Sequence, residues 1–386
     1  VQCSMTSAPF DVAVVGGGII GLCTAYHAQK TGQRTVLIEQ YSIGNTFGSS
    51  AGKSRVIRYA HTNPVYLPLV SDTFKQIAEM EQQRGEKLWR KTGMLNLASG
   101  KDVAYVAEIM RNFGADYEII TAAEVNKRYP HITYGSDYTC LYDPMGGVVF
   151  VDKWFAAFKE EFLKLGGTLL ESTTVSGFSD SHAVTLQTSR GDISTTKAVF
   201  ALGTYINKLV PNFPVKSRNE STSVPYWIPK RKEDEQLTMP ENYPVISTGT
   251  SAHGFFSLPS YDYKGAIKFV FRNGESYTGD DEVLHLSEEI INEIRAHIAK
   301  HLPFLDAENG PWRIDRCKYS MSPDEHYVID YLPGSRNIQI AGFMSGTGFK
   351  NAPSIGKSIV QILKGEKPDF DMSFFRINRF ENKSKL

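Results

Sequence analysis

Residues 11–40, DVAVVGGGIIGLCTAYHAQKTGQRTVLIEQ, constrain this chain more than any other stretch. The apolar, β-branched run at 11–15 reads as a strand, the glycines as a turn, the residues up to Gly32 as a helix, and RTVLIE as a second strand. Gly16, Gly18 and Gly21 fit G-x-G-x-x-G, and Glu39 follows 23 residues after the first glycine. Each residue type has a physical task. Gly16 permits the tight turn, Gly18 lets backbone N–H groups approach a pyrophosphate, Gly21 lets helix and strand pack closely, and Glu39 can accept hydrogen bonds from a ribose. A bare glycine pattern is weak evidence, but here both strands, the helix and the acid stand in order around it. The unit predicts a dinucleotide site without separating NAD from FAD. The absence of a second such unit favours a single dinucleotide.

With 386 residues, the chain has room for two modest domains, or for one large domain carrying an insert. Lys plus Arg and Asp plus Glu are both 42, so no excess positive field is available to hold nucleic acid or an anionic membrane. A small-molecule partner is expected instead. The longest apolar run, residues 11–23, is too short and too glycine-rich for a membrane span. Cys3, Cys23, Cys140 and Cys317 show no CxxC and no metal-ligand spacing, which predicts a reducing compartment and no metal. Ser384-Lys385-Leu386 form the S-K-L signal that peroxisomal import receptors read. They predict a peroxisomal location, with the receptor as a partner.

Residues 197–210 read as a buried strand running into an Ala-Leu-Gly turn, and 337–365 as strand, glycine-rich loop and amphipathic helix. Both look like returns to the dinucleotide fold. The intervening stretches are rich in aromatic and β-branched residues. The expected architecture is α/β with two domains. A Rossmann-type cofactor domain is drawn from 8–92, 148–220 and 315–386, and a discontinuous, β-sheet-rich substrate domain from 93–147 and 221–314.

Several cations stand out against bland alternatives. Arg55 and Arg58 are three apart, and on a helix both guanidiniums would share one face and call for an anion. Alternation in GAIKFVFR, 265–272, sets Lys268, Val270 and Arg272 opposite Ile267, Phe269 and Phe271. A lysine so placed is ordinarily exposed. In SGTGFKNAP, 345–353, a glycine loop opens a helix whose N-terminal N–H groups suit an anion, and Lys350 projects from the same turn. Cys317 sits among charges and aromatics, where a lone cysteine is usually a small filler.

In combination these segments resemble the monomeric sarcosine oxidase family, which includes peroxisomal sarcosine and L-pipecolate oxidases and N-methyltryptophan oxidase. The resemblance covers nearly the whole chain. It rests on VVGGGIIGLCTAYH (14–27), GSSAGKSRVIRYAH (48–61), KTGMLNL (91–97), DPMGGVVF (143–150), CKYSMSPDEHYVID (317–330), AGFMSGTGFK (341–350) and FFRINRF (374–380). It implies an FAD-dependent oxidase of secondary amino acids that hands electrons to O2 and works as a monomer. Cys317 then matches the cysteine joined through sulfur to the 8α-methyl of FAD, and its neighbours Arg316 and Lys318 favour the reactive thiolate. Arg58 and Lys350 match the pair that holds the substrate carboxylate. Arg55 matches an arginine beside the flavin ring, Lys268 the lysine that promotes reaction with O2, and Tyr319 a residue of the substrate pocket. With Gly16, Gly18, Gly21 and Glu39, the residues Ile19, Ile20, Gln40, Ser49, Ser50, Gly203, Gly346 and Gly348 complete the expected cofactor-binding set.

The chain also departs from that pattern. Ala51 and Thr347 stand where bacterial members carry histidines, Arg272 replaces a histidine four residues after the lysine, and Phe256 stands where a pocket tyrosine is usual. Arg272 is therefore a candidate for a second acidic group on the substrate. The reading is an oxidase of sarcosine-type amino acids. The alternatives are a pipecolate- or proline-type oxidase, a dehydrogenase of the same fold that uses another electron acceptor, or a flavin-binding protein without turnover.

Overall fold

The computed structural model describes residues 10–98, 100–249, 254–271, 275–276 and 288–385. Cys3, Arg272 and Leu386 lie outside these residues, as do the side chains of Ser384 and Lys385. In chain order, the elements that matter for the site are β1 (Phe10–Val15), α1 (Ile19–Lys30), β2 (Thr35–Ile38), β3 (Ser54–Ile57), β4 (Gly147–Phe150), β5 (Ile193–Phe200) and β6 (Arg218–Trp227). They continue with β7 (Phe255–Leu258), β8 (Ile267–Phe271), β9 (Arg313–Met321), β10 (Ile338–Gly342) and α2 (Ala352–Leu363). The chain divides into two compact units, one from Val1–Ala51, Asp152–Arg218 and Tyr319–Leu386, the other from Gly52–Val151 and Asn219–Lys318.

In the first unit β1 lies between β2 and β5 and runs parallel to both, with Val14 opposite Leu37 and Val199. β10 adds parallel to β5, and Thr168–Leu170 extends the row beyond β2. Val12–Val15 are buried without alternation, as a parallel strand covered on both faces requires. One face packs Ala13, Val15, Ile38, Phe200 and Ile340 with Phe213 and Phe343. α1 packs on β1 and β2, and α2 packs on α1. A Cβ at Gly356 of α2 would stand 2.7 Å from the Cys23 carbonyl carbon, so glycine there sets how closely the two helices approach.

The second unit is built on a largely antiparallel sheet in which β6, β8 and β7 are neighbours and β9 pairs with β6. Ile267, Phe269 and Phe271 point into a core with Trp227 and the helical Ile294 and Ile298. Lys268 takes the opposite face, as the alternation predicts. Three expectations need correction or restatement. Residues 52–92 and 148–151, assigned above to the cofactor domain, group with the second unit, because β3 and Trp89–Lys91 both hydrogen-bond to β4, and residues 219–220 join it at the start of β6. Residues 315–318 follow β9 into the same unit. Ser54–Ile57 is a strand, since its β-branched residues pair antiparallel with β4, so Arg55 and Arg58 do not share a helical face. Among the described residues no helix is long and apolar enough to cross a membrane.

Candidate active site

The glycine motif folds as its chemistry demands. Gly16 has φ +104°, and a Cβ there would lie 2.3 Å from the Ala201 carbonyl oxygen, so only glycine fits. A Cβ at Gly21 would lie 1.9 Å from the Gly16 carbonyl oxygen. Gly18 begins α1 with no side-chain cap of its own, while Ser50 Oγ accepts from Ile19 N at 3.2 Å. Ile19 and Ile20 are buried beneath this turn, and Ser49 and Gln40 are half-buried nearby in sequence. Glu39 is buried, accepting from Gly17 N at 2.6 Å on Oε2 and from Tyr41 N at 2.8 Å on Oε1. Two backbone donors thus aim the carboxylate, and each oxygen retains a lone pair for a ribose hydroxyl. A helix start with glycine at its cap position, beside a pinned acid, is a cradle that fits the pyrophosphate and ribose of a dinucleotide such as FAD.

Gly203, φ +56°, turns the chain after β5. Beyond β10 the backbone is bent at Phe343, Ser345 and Gly346, with φ of 54°, 45° and 70°. Left-handed geometry at the two non-glycine residues costs about 1–2 kcal/mol each, and the surroundings hold it. Ser345 N donates to Ser320 O at 3.1 Å, and Thr347 Oγ1 and Asn351 Nδ2 donate to Tyr327 OH at 3.0 and 2.9 Å. Thr347 therefore anchors this loop. A Cβ on Gly346 would meet the Tyr319 ring at 3.7 Å. Gly348 leads into the short helical turn Phe349–Asn351, which feeds α2. Lys350 in that turn is buried, not solvated, and its Nζ donates to Thr347 O at 3.1 Å.

In the second unit Lys268 is only 5% exposed, against the usual habit of lysine. Its Nζ donates to Ser54 O at 3.1 Å, Ser54 Oγ at 3.2 Å and Asp262 Oδ1 at 3.2 Å. Asp262 also accepts from Lys53 N at 3.0 Å, from Tyr226 OH at 3.2 Å and, in a short bond, from Ser54 Oγ. Burial pulls the Lys268 ammonium below the usual lysine range, Asp262 opposes that, and Arg55 adds to it. Burial alone would raise the Asp262 carboxyl, but Lys268, Ser54 and the Lys53 amide outweigh it and hold it below the usual carboxylate range. Arg55 Nη1 donates to Ser54 O at 2.8 Å, and Gly52, φ +91°, leaves room beside it, since a Cβ there would stand 3.2 Å from that nitrogen.

Arg58 follows β3 and lies over the Phe256 ring, 5.3 Å from its centroid. The residues after it are gripped by the fully buried Asp143, which accepts from Tyr59 N at 2.6 Å and Ala60 N at 3.0 Å. Burial raises the Asp143 carboxyl, against the pull of these amides and of Arg58. Cys317 on β9 is buried and not in a disulfide, with its Sγ 3.9 Å from Lys318 O and close enough to Lys268 to act on its charge. Asp262, Ser54, Tyr226 and Asp143 were not singled out from sequence. Ser54 and Asp143 lie in two of the family-like segments, 48–61 and 143–150, and the signal for Asp262 is an acid six residues before Lys268, across a glycine turn.

A family model described as "FAD dependent oxidoreductase" matches residues 11–362. A Caenorhabditis elegans protein named "Putative sarcosine oxidase" is 40% identical over 97% of this chain and 99% of its own. The Mus musculus peroxisomal sarcosine oxidase is 28% identical over 97% of both. Among solved structures, L-proline dehydrogenase from P. horikoshii superposes with a TM-score of 0.83 at 22% identity, covering 97% of this chain and 98% of that one, a likeness of fold. The dinucleotide cradle thus belongs to an FAD-dependent, amine-oxidising enzyme, and the chain is a member of the FAD-dependent oxidoreductase family, in its sarcosine oxidase group.

Proposed function

We propose that the enzyme oxidises a secondary amino acid of the N-methyl type, with sarcosine the first candidate, and passes the electrons to O2. The observation that carries this reading is the buried, ion-paired Lys268 in a chain 40% identical to a sarcosine oxidase relative over nearly its full length. When bound, FAD supplies a hydride acceptor for the carbon next to the amine and a two-electron donor to O2, yielding an imine and hydrogen peroxide. From sarcosine, hydrolysis of that imine gives glycine and formaldehyde. Arg58 and Lys350 hold the substrate carboxylate, and stacking on Phe256 limits the orientations Arg58 can take. Tyr319 lines the substrate pocket, and Arg272 is available to a second acidic group. The start of α2 turns its N–H dipoles toward negative charge. Lys268 places a fixed positive charge where oxygen is reduced, with Arg55 at its side. Cys317 is the covalent anchor of the cofactor.

No side chain needs to serve as base if the amine binds neutral. Ser384-Lys385-Leu386 direct the chain to peroxisomes through the import receptor, a location shared with the mouse relative. The working form is a monomer, as for the relatives named monomeric sarcosine oxidase. Anaerobic titration of the yellow protein with sarcosine, L-pipecolate and L-proline tests the substrate class. Full bleaching by sarcosine at the lowest concentration supports the reading. Preferential bleaching by L-pipecolate or L-proline transfers it to the cyclic amino acids, and no bleaching by any secondary amine removes it.

A further inference from the structure

The Lys268 ammonium carries three N–H bonds, and among the described residues each has an acceptor within the chain: Ser54 O, Ser54 Oγ and Asp262 Oδ1. The acid that takes one of them is itself buried, at 7% exposure, and bound on both oxygens. Its loop is fixed independently, since Gly265 N donates to Ser260 Oγ at 2.9 Å and Ser260 N donates to Thr238 O at 2.7 Å. We infer that Asp262 is a positioning residue that tethers Lys268, so that the lysine serves oxygen reduction as a fixed, charged centre and not as a mobile hydrogen-bond donor. The inference rests on the proposed oxidase reading and adds a residue to it.

The electrostatics around Nζ give this a direction. Burial and the Arg55 guanidinium on β3 both disfavour the charged lysine, while Asp262, on the loop between β7 and β8, favours it. Cys317 on β9 faces it too, but as the thioether anchor of the cofactor it would carry no charge. Tyr226 on β6 is the cross-strand partner of Lys268 and donates its hydroxyl to Asp262 Oδ1 at 3.2 Å. Without Asp262, burial and Arg55 act on the charge unopposed, and the ammonium gives up its proton at lower pH. A lysine that is neutral contributes no field to the reduction of O2.

The test separates the two half-reactions in the Asp262→Asn holoenzyme. Anaerobic reduction by substrate should stay within about threefold of wild type, whereas the alkaline loss of the O2 reaction should begin about one pH unit lower or more. Superimposed pH profiles overturn the inference, and an Asp262→Glu variant that behaves like Asp262→Asn overturns its charge argument. A thermal readout needs no turnover. In a Lys268→Met background the acid is an unpaired buried anion, so adding Asp262→Asn should leave Tm unchanged or raise it. A fall in Tm of more than about 3 °C there would mean that Asp262 serves Ser54, Lys53 and Tyr226 structurally, and would overturn the tether. The double variant carries no unpaired charge, so this arm stands even if Asp262→Asn alone does not fold. If reduced wild-type enzyme fails to react with O2, the oxidase reading falls and the Tm comparison alone decides the pairing.

Discussion

Glu39 and Asp262 are both buried carboxylates, 6% and 7% exposed, yet they are held in opposite ways. Glu39 is gripped by two backbone amides, from Gly17 and Tyr41, and its position is set by the path of β1, α1 and β2. Asp262 is gripped mostly by side chains, from Lys268, Ser54 and Tyr226, which lie 6, 208 and 36 residues away in sequence. A site built from backbone tolerates almost any side chain except at its glycines. A site built from side chains depends on each partner and on its charge. The cradle should therefore fail by losing cofactor, and the charged cluster by losing chemistry while cofactor stays.

The largest expected effect is Gly21→Ala. Its Cβ would meet the Gly16 carbonyl oxygen at 1.9 Å, so the helix start must shift, and flavin per protein should fall by about tenfold or more. The absorbance ratio at 450 and 280 nm, with circular dichroism to verify folding, reads this, and full flavin content would break the comparison. Next is Lys268→Met. Oxygen reactivity of the reduced enzyme should drop about a hundredfold with flavin content unchanged, measured by stopped-flow absorbance. Loss of flavin instead would show that the cluster is also a cofactor clamp.

A sharper contrast comes from Cys317→Ser, which should make the flavin extractable by acid precipitation. In that background Glu39→Gln should weaken flavin binding about tenfold, read by fluorescence titration. Flavin that remains extractable in wild type would contradict the anchor. The smallest effect lies outside both sites. Burial alone would raise the Asp324 carboxyl, but Arg379 and Ser322 outweigh it and hold it at about 2. A depressed folded-state value stabilises above the unfolded value, near 3.9, and that contribution is lost as pH falls toward 2. The Tm gap between wild type and Asp324→Asn should therefore be greatest near neutrality and close between about pH 4 and pH 2. A gap independent of pH would assign the loss to packing.

The same contrast explains what could be read from the sequence. β1, α1, β2 and Glu39 form one contiguous stretch whose spacing follows from helix and strand geometry, so the cradle was legible residue by residue. Strand alternation put Lys268 opposite the core face, but burial of that lysine depends on Asp262 and Ser54, and no local pattern brings residue 54 to residue 268. The pairing of β3 with β4, 96 residues apart at Ser54 and Phe150, was likewise invisible, and it moved residues 52–92 out of the expected domain. Thr347 looked like a lost histidine, whereas its hydroxyl fixes the loop on Tyr327. Asp143 was present in a quoted motif without a role, because its partners are backbone amides that no side-chain pattern reports.

The most direct test of the oxidase account is to reduce the enzyme anaerobically with sarcosine, mix it with air-saturated buffer, and follow flavin absorbance and peroxide together. The account predicts rapid return of the full oxidised spectrum with about one hydrogen peroxide per flavin. Flavin that stays reduced in oxygen and recovers its colour only with an artificial electron acceptor would contradict it, and would make the protein a dehydrogenase.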